Sequence, residues 1–178
     1  MRRGAWIQTF SGIQFWPLDP RPEEILIEDI AHGLSLQCRF AGHTKKFYST
    51  AQHSVLVSHA VPCEDAPWGL LHDSPETYLN DMASPIKHSS ILGQEYCCVE
   101  DEIMACGCRR FGLPRQEPKS VRLADDVLLV TEQRDLMGKP PTAWSIKAKP
   151  LPYIIDPWDG PLAERVFLAR YKELFPND

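Results

Sequence analysis

The 178-residue sequence has no run of the roughly 18 consecutive apolar residues that a membrane helix needs. Its opening, MRRGAWIQTF, places two arginines before no apolar stretch of signal length, so a secretory leader is not expected. A cytoplasmic location and no membrane partner are the expectations that follow. There is no excess of basic charge either. The net charge of −5 argues against nonspecific nucleic-acid binding, which needs a basic surface. A small anionic substrate stays compatible with that charge, because a bound dication and one or two basic residues reverse the sign of a cleft. No C-x-x-C pair occurs, and with it goes zinc-finger spacing. The cysteines Cys38, Cys63, Cys97, Cys98, Cys106 and Cys108 are therefore expected to be reduced thiols. Internal repeats, low-complexity segments and charge runs are absent too.

What is present is a globular composition, 43% hydrophobic and 24% charged, enough to bury a core without staples. The expectation is one domain over residues 1–178. It comprises a hairpin extension over 1–20, a proline-rich loop over 138–160 and a C-terminal helix within 161–178. Residues 5–18 alternate loosely around Ser11-Gly12 and predict a short β-hairpin. Its aromatics, Trp6, Phe10, Phe15 and Trp16, suit either an oligomer interface or a cap on the chain's own core. Residues 22–37 predict a helix, with Pro22-Glu23-Glu24 suited to its start. A helix over 49–61 opens on a Ser49/Thr50 cap. A second, over 65–80, contains Pro75, which should end or kink it near His72. Residues 82–90 predict a loop, and 91–112 a long helix ending at Gly112. Residues 118–137 predict another, with Val121, Leu123, Ala124, Val127, Leu128, Val130 and Leu136 on one apolar face. Residues 161–175 predict a final amphipathic helix. The fold class is mainly α, a helical bundle with a small N-terminal β-hairpin.

The chemistry centres on His72-Asp73 within LLHDSPE. An adjacent imidazole and carboxylate are costly to bury without a partner, and a divalent metal supplies one. Neighbouring helical side chains diverge by about 100°, so the pair converges only on something at the helix edge. His53, on the preceding helix, is the natural third ligand. Asp125 or its neighbour Asp126, set among apolar residues of a later helix, supplies the fourth; spacing alone does not choose between them. The competing explanation is a satisfied core histidine beside a surface carboxylate. Glu76 lies four residues after His72 and on a helix would share its face.

The blocks TFSG (9–12), IEDIAHGLS (27–35), CRFAGH (38–43), FYSTAQHSVL (47–56), LLHDSPE (70–76), DMASPIK (81–87) and LADDVLLVTEQRDLM (123–137) occur in that order. With them the sequence resembles the HD-domain phosphohydrolases, in particular bacterial 5'-deoxynucleotidases and their phage and prophage relatives. The resemblance implies an HD-domain bundle holding one divalent ion, cobalt, manganese, zinc or magnesium, on His53, His72, Asp73 and Asp125. The extra histidines of dinuclear relatives are missing, so a mononuclear site is implied. Glu76 becomes the residue that orients or deprotonates the attacking water, although Pro75 departs from the usual residue beside it. Arg39 falls at a phosphate-binding position, Phe40 at one that flanks the base, Asp81 at one that reads the sugar, and Lys87 beside the phosphate. His43 belongs to the RFAGH block and is given a structural or ligand-supporting role.

The implied activity is 5'-dephosphorylation of deoxynucleoside monophosphates. The alternatives are triphosphohydrolysis of a deoxynucleoside triphosphate, with Lys45 and Lys46 as further basic candidates, and a non-catalytic metal-stabilised HD scaffold. A deoxynucleotide partner and a homo-oligomer complete the expectation.

Overall fold

The computed structural model describes residues 1–177. It is mainly helical, with a small antiparallel hairpin at the N-terminus. In that hairpin β1 (Ile7–Gln8) pairs with β2 (Gln14–Phe15), Ile7 opposite Phe15 and Gln8 opposite Gln14. Alternation sends Phe15 inward, fully buried and stacked on Tyr78 with ring centres 3.8 Å apart. The other aromatics divide differently. Trp16 is half-buried beneath the Arg2 guanidinium, while Trp6 and Phe10 are exposed, Phe10 stacking on His32.

The helices are α1 (Ile27–Leu36), α2 (Thr50–Ala60), α3 (Ala66–Leu71), α4 (Glu76–Leu79), α5 (Ser84–Ser89), α6 (Ile91–Phe111), α7 (Lys119–Leu136) and α8 (Gly160–Leu174). Several ends follow local chemistry. Ser49 caps α2 by accepting from the Gln52 N–H at 3.1 Å. Gly112 closes α6 in the left-handed conformation, with φ of 67°. Pro75 interrupts the expected helix over 65–80, so α3 stops at Leu71 and α4 restarts at Glu76.

Three expectations need correction. Pro22–Glu24 forms a separate 3-10 turn rather than the start of α1, because Ile25 and Leu26 are extended and Ile25 is drawn into the core. Residues 82–90 are not all loop. Pro85 sits in the first turn of α5, where its fixed φ suits a helix, and the Ala83 carbonyl accepts from both Ile86 and Lys87. This helix closes on α6 at Gly93, where a Cβ would lie 2.2 Å from the Lys87 carbonyl oxygen. Leu123 is exposed, not on the buried face of α7. That face follows Val121, Ala124, Leu128, Thr131 and Glu132 at three- and four-residue steps.

The centre of the bundle is α2, which packs against α1, α3, α7 and α8. It is buried nearly all round, so its polar residues need internal partners. Gln52 finds them in the helix-free segment 137–159, donating to the Asp156 carbonyl and accepting from the Trp158 N–H, both at 2.8 Å. From α7, Thr131 Oγ1 accepts from the Leu151 N–H and Asp135 from the Ile155 N–H, each at 2.9 Å. The proline-rich segment is thus ordered by side chains of α2 and α7. It leads into α8, whose Phe167 is fully buried in the core shared with α1 and α3.

Candidate metal centre

Four elements meet at one point. His53 comes from the middle of α2, His72 and Asp73 from the turn that Pro75 imposes after α3, and Asp125 from the second turn of α7. Arg39 enters from the 3-10 turn Arg39–Gly42, after α1. The neck of that loop is fixed by two backbone bonds, Arg39 N–H to the Tyr48 carbonyl at 2.9 Å and Thr50 N–H to the Gln37 carbonyl at 3.1 Å.

His53, His72 and Asp73 each offer one ligand atom, all within 4.8 Å of one another. His53 Nε2 lies 3.3 Å from His72 Nε2 and 3.8 Å from Asp73 Oδ2, and His72 Nε2 lies 3.3 Å from Asp73 Oδ1. Asp125 joins through His53, with Oδ1 3.1 Å from His53 Nε2. It stands on the open side, its side chain 41% exposed, whereas that of His53 is 0% exposed. Among the described residues no hydrogen bond or ion pair ties Asp126 to this group, and Asp125 is the one of the two that meets His53.

The donor chemistry fits a dication. The His72 Nδ1–H donates to the Gly69 carbonyl at 2.8 Å, and His53 Nδ1 donates to Glu132 Oε1 at 2.6 Å. Both Nε2 atoms are then left with lone pairs facing each other. Two lone pairs at that separation repel unless a cation sits between them. Donors about 2.0–2.2 Å from a tetrahedral ion stand roughly 3.4 Å apart, which matches the observed spacings. Without an ion, a proton takes this place. Burial and Arg39 oppose charge on His53, but Glu132 and Asp125 outweigh them and lift its pKa to about 9. Asp125 shows the converse. Burial raises its pKa, yet its hydrogen bond and charge contact with His53 hold it well below the usual carboxylate range.

Glu132 was not among the residues read from the sequence, and it organises the site. It is fully buried and accepts from His53, from Tyr48 Oη at 2.8 Å and from Arg39 Nε at 3.2 Å. Arg39 also donates to Asp73 Oδ2 at 3.3 Å. One carboxylate therefore sets the His53 ring and holds the guanidinium beside a ligand. A signal existed: Glu132 follows Asp125 by two helical turns and shares its face.

The remaining expected residues separate into two groups. Glu76 is buried, and its Oε2 has no hydrogen-bond partner among the described residues. Burial first, then Asp73 and Asp81, raise its pKa well above the ordinary value. Asp81 lies at the surface within the field of Lys87 and Arg39. Lys87 is paired with Glu100 at 2.7 Å, so it is not a free phosphate-binding cation in this arrangement. Phe40 has the Arg39 guanidinium 5.5 Å from its ring centre. His43 is exposed at the end of its turn, and among the described residues no hydrogen bond or ion pair joins it to the ligand group. His32 bonds Glu164 at 3.2 Å, while His59 and His88 are exposed. All six cysteines are free thiols. Among the described residues no helix is long and apolar enough to cross a membrane.

The sequence is similar to proteins of Escherichia coli and Rhodobacter capsulatus. It is 43% identical over 132 residues to the uncharacterized protein YfdR of Escherichia coli, covering 74% of this chain and 72% of YfdR. It is 38% identical over 147 residues to the uncharacterized protein RCAP_rcc00048 of Rhodobacter capsulatus, covering 75% of this chain and 74% of that protein. No family model matches the chain.

Proposed function

The chain belongs to the family of Escherichia coli YfdR and Rhodobacter capsulatus RCAP_rcc00048, and we propose that it is a divalent-metal-dependent phosphohydrolase. The preferred substrate is a deoxynucleoside 5'-monophosphate, and the products are a deoxynucleoside and phosphate. The observation that carries this reading is the convergence of His53, His72, Asp73 and Asp125 beside a buried guanidinium and a buried carboxylate. The ordered motifs by which the sequence resembles the HD-domain phosphohydrolases are the ground for the substrate class.

A dication bound there supplies Lewis acidity and acidifies water. The protein's own residues do the rest. Arg39 keeps its charge, since Glu132 and Asp73 outweigh its burial, and its planar fork suits phosphate oxygens. Glu132 and Asp73 hold that fork in place, which limits the reorganisation needed as charge develops on the phosphate. Glu76, with a raised pKa and an uncommitted buried oxygen, is suited to take a proton from the attacking water. Asp81, exposed and close enough for its charge to raise the Glu76 pKa, is the residue that the resemblance gives to the sugar.

Glu76→Gln retains the shape of the side chain and removes its basicity. It is expected to keep the metal content of the wild type while lowering kcat by roughly 10²–10⁴-fold, the usual contribution of an acid–base group. Loss of metal instead would make Glu76 a ligand.

The function is tested by product analysis on deoxy- and ribonucleoside mono- and triphosphates, with protein loaded in turn with cobalt, manganese, magnesium and zinc. Inorganic phosphate released from deoxynucleoside monophosphates is the expected result. Release of tripolyphosphate from a deoxynucleoside triphosphate would move the protein to triphosphohydrolysis. Tight metal binding with no turnover of any nucleotide would return it to a scaffold role.

A further inference from the structure

We propose that Trp144, in the helix-free segment after α7, is a base-recognition residue that forms an aromatic platform with Phe40 next to Arg39. The inference rests on the nucleotide reading above and adds the element that would distinguish a nucleotide from any other phosphate ester.

Two adjacent non-glycine residues, Phe40 (φ 55°, ψ 34°) and Ala41 (φ 50°, ψ 32°), occupy the left-handed region. Such backbone persists only where its surroundings over-determine it, and it concentrates at ligand clamps. Its effect here is directional. Arg39 reaches Asp73 and Glu132, while the very next ring lies against Trp144, with ring centres 6.2 Å apart and planes tilted by 49°. The pair is tilted rather than stacked, so aromatic faces remain for a third ring.

Trp144 is 36% exposed, and no hydrogen bond holds its indole N–H among the described residues. It lies in an exposed stretch, 141–145, of the segment that follows α7. Arg134 donates to the Leu151 carbonyl at 2.8 Å and to the Tyr153 carbonyl at 2.6 Å. On the opposite side, the Lys45 N–H donates to the Leu136 carbonyl at 2.8 Å, tying the Arg39–Phe40 loop to the base of the same segment. Trp144 thus lies between two tied points, Leu136 and Leu151, and phosphate and base contacts fall to adjacent residues of one loop.

Phe40 and Trp144 between them offer a single hydrogen-bond donor. Recognition is therefore by stacking, which every base satisfies, and both purine and pyrimidine deoxynucleotides are accepted. The test compares wild type, Trp144→Ala and Trp144→Phe, all metal-loaded, on deoxyadenosine and deoxycytidine monophosphates and on 2-deoxyribose 5-phosphate, which has no base. Trp144→Ala should raise KM for both nucleotides roughly tenfold or more, as for loss of one base–aromatic stack, without lowering kcat. KM for the sugar phosphate should not move, and Trp144→Phe should restore most of the nucleotide affinity. A packing role would change all three substrates alike, and that outcome, or an unchanged nucleotide KM, overturns the inference. A wild type that hydrolyses the sugar phosphate as well as the nucleotides overturns base recognition but leaves the phosphohydrolase reading intact. A wild type that hydrolyses none of the three sinks that reading, and the inference with it.

Discussion

His72→Ala is expected to lose bound metal and turnover together. The side chain is only 7% exposed, and its Nδ1–H is committed to the Gly69 carbonyl, so Nε2 has one direction in which to act. That direction holds His53 Nε2 and Asp73 Oδ1, each 3.3 Å away. Removing this nitrogen leaves two residues of the compact triad and opens a gap that water fills. Because a metal bound only to the folded state raises stability by mass action, a chelator should lower the Tm of the wild type and leave the variant unmoved. Elemental analysis after dialysis, thermal melts with and without chelator, and phosphate release give three readouts of one event. Full activity in His72→Ala would remove the metal centre from the reaction altogether.

Glu132 should produce the second large effect, through two different substitutions. Glu132→Ala removes the acceptor of three buried or half-buried donors, Tyr48, His53 and Arg39. Breaking a buried charge network from one side costs about 3–5 kcal/mol, so this variant should unfold at markedly lower denaturant. Glu132→Gln keeps the volume and loses the charge. It should fold and bind metal about 10–100-fold more weakly, the usual cost of losing a partner that orients a ligand. Metal affinity equal to wild type in Glu132→Gln would refute that orienting role. The pH dependence has a definite sign. Burial alone would raise the Glu132 pKa, but Arg39 and His53 depress it below the ordinary value. Its contribution to stability is therefore present at neutral pH and is lost as the pH falls through that depressed value.

Much of the fold was legible because its signals are local. Ser49 caps the helix it precedes, Gly112 ends the helix it follows, and Pro75 breaks the helix that contains it. Each acts on backbone groups within a few residues, so the sequence around it is sufficient. Pro85 misled for the same local reason: proline suits a loop and the first turn of a helix equally, and contact with α6 at Gly93 decided for the helix. Leu123 suits the buried face by its composition, although the stripe that packs passes through Val121 and Ala124 and leaves it outside.

Of the site, the residue types and their order were determined by the sequence alone: two histidines, the adjacent aspartate, and an aspartate on a later helix. The choice of Asp125 over Asp126 belongs to the tertiary structure, because only the rotation of α7 against α2 sets which carboxylate meets His53. Lys87 is paired with Glu100 where α5 packs on α6, which the sequence around it does not reveal. Glu132 becomes the residue that orients His53 and Arg39 only when the stretch 39–53, far from it in the sequence, closes around it. Hydrogen bonds and charge contacts act over a few ångströms in space and carry no mark in the linear order of residues. The sequence by itself thus determined the long helices and the donor set, and the folding of those helices against one another decided α5 and which side chains turn that set into a site.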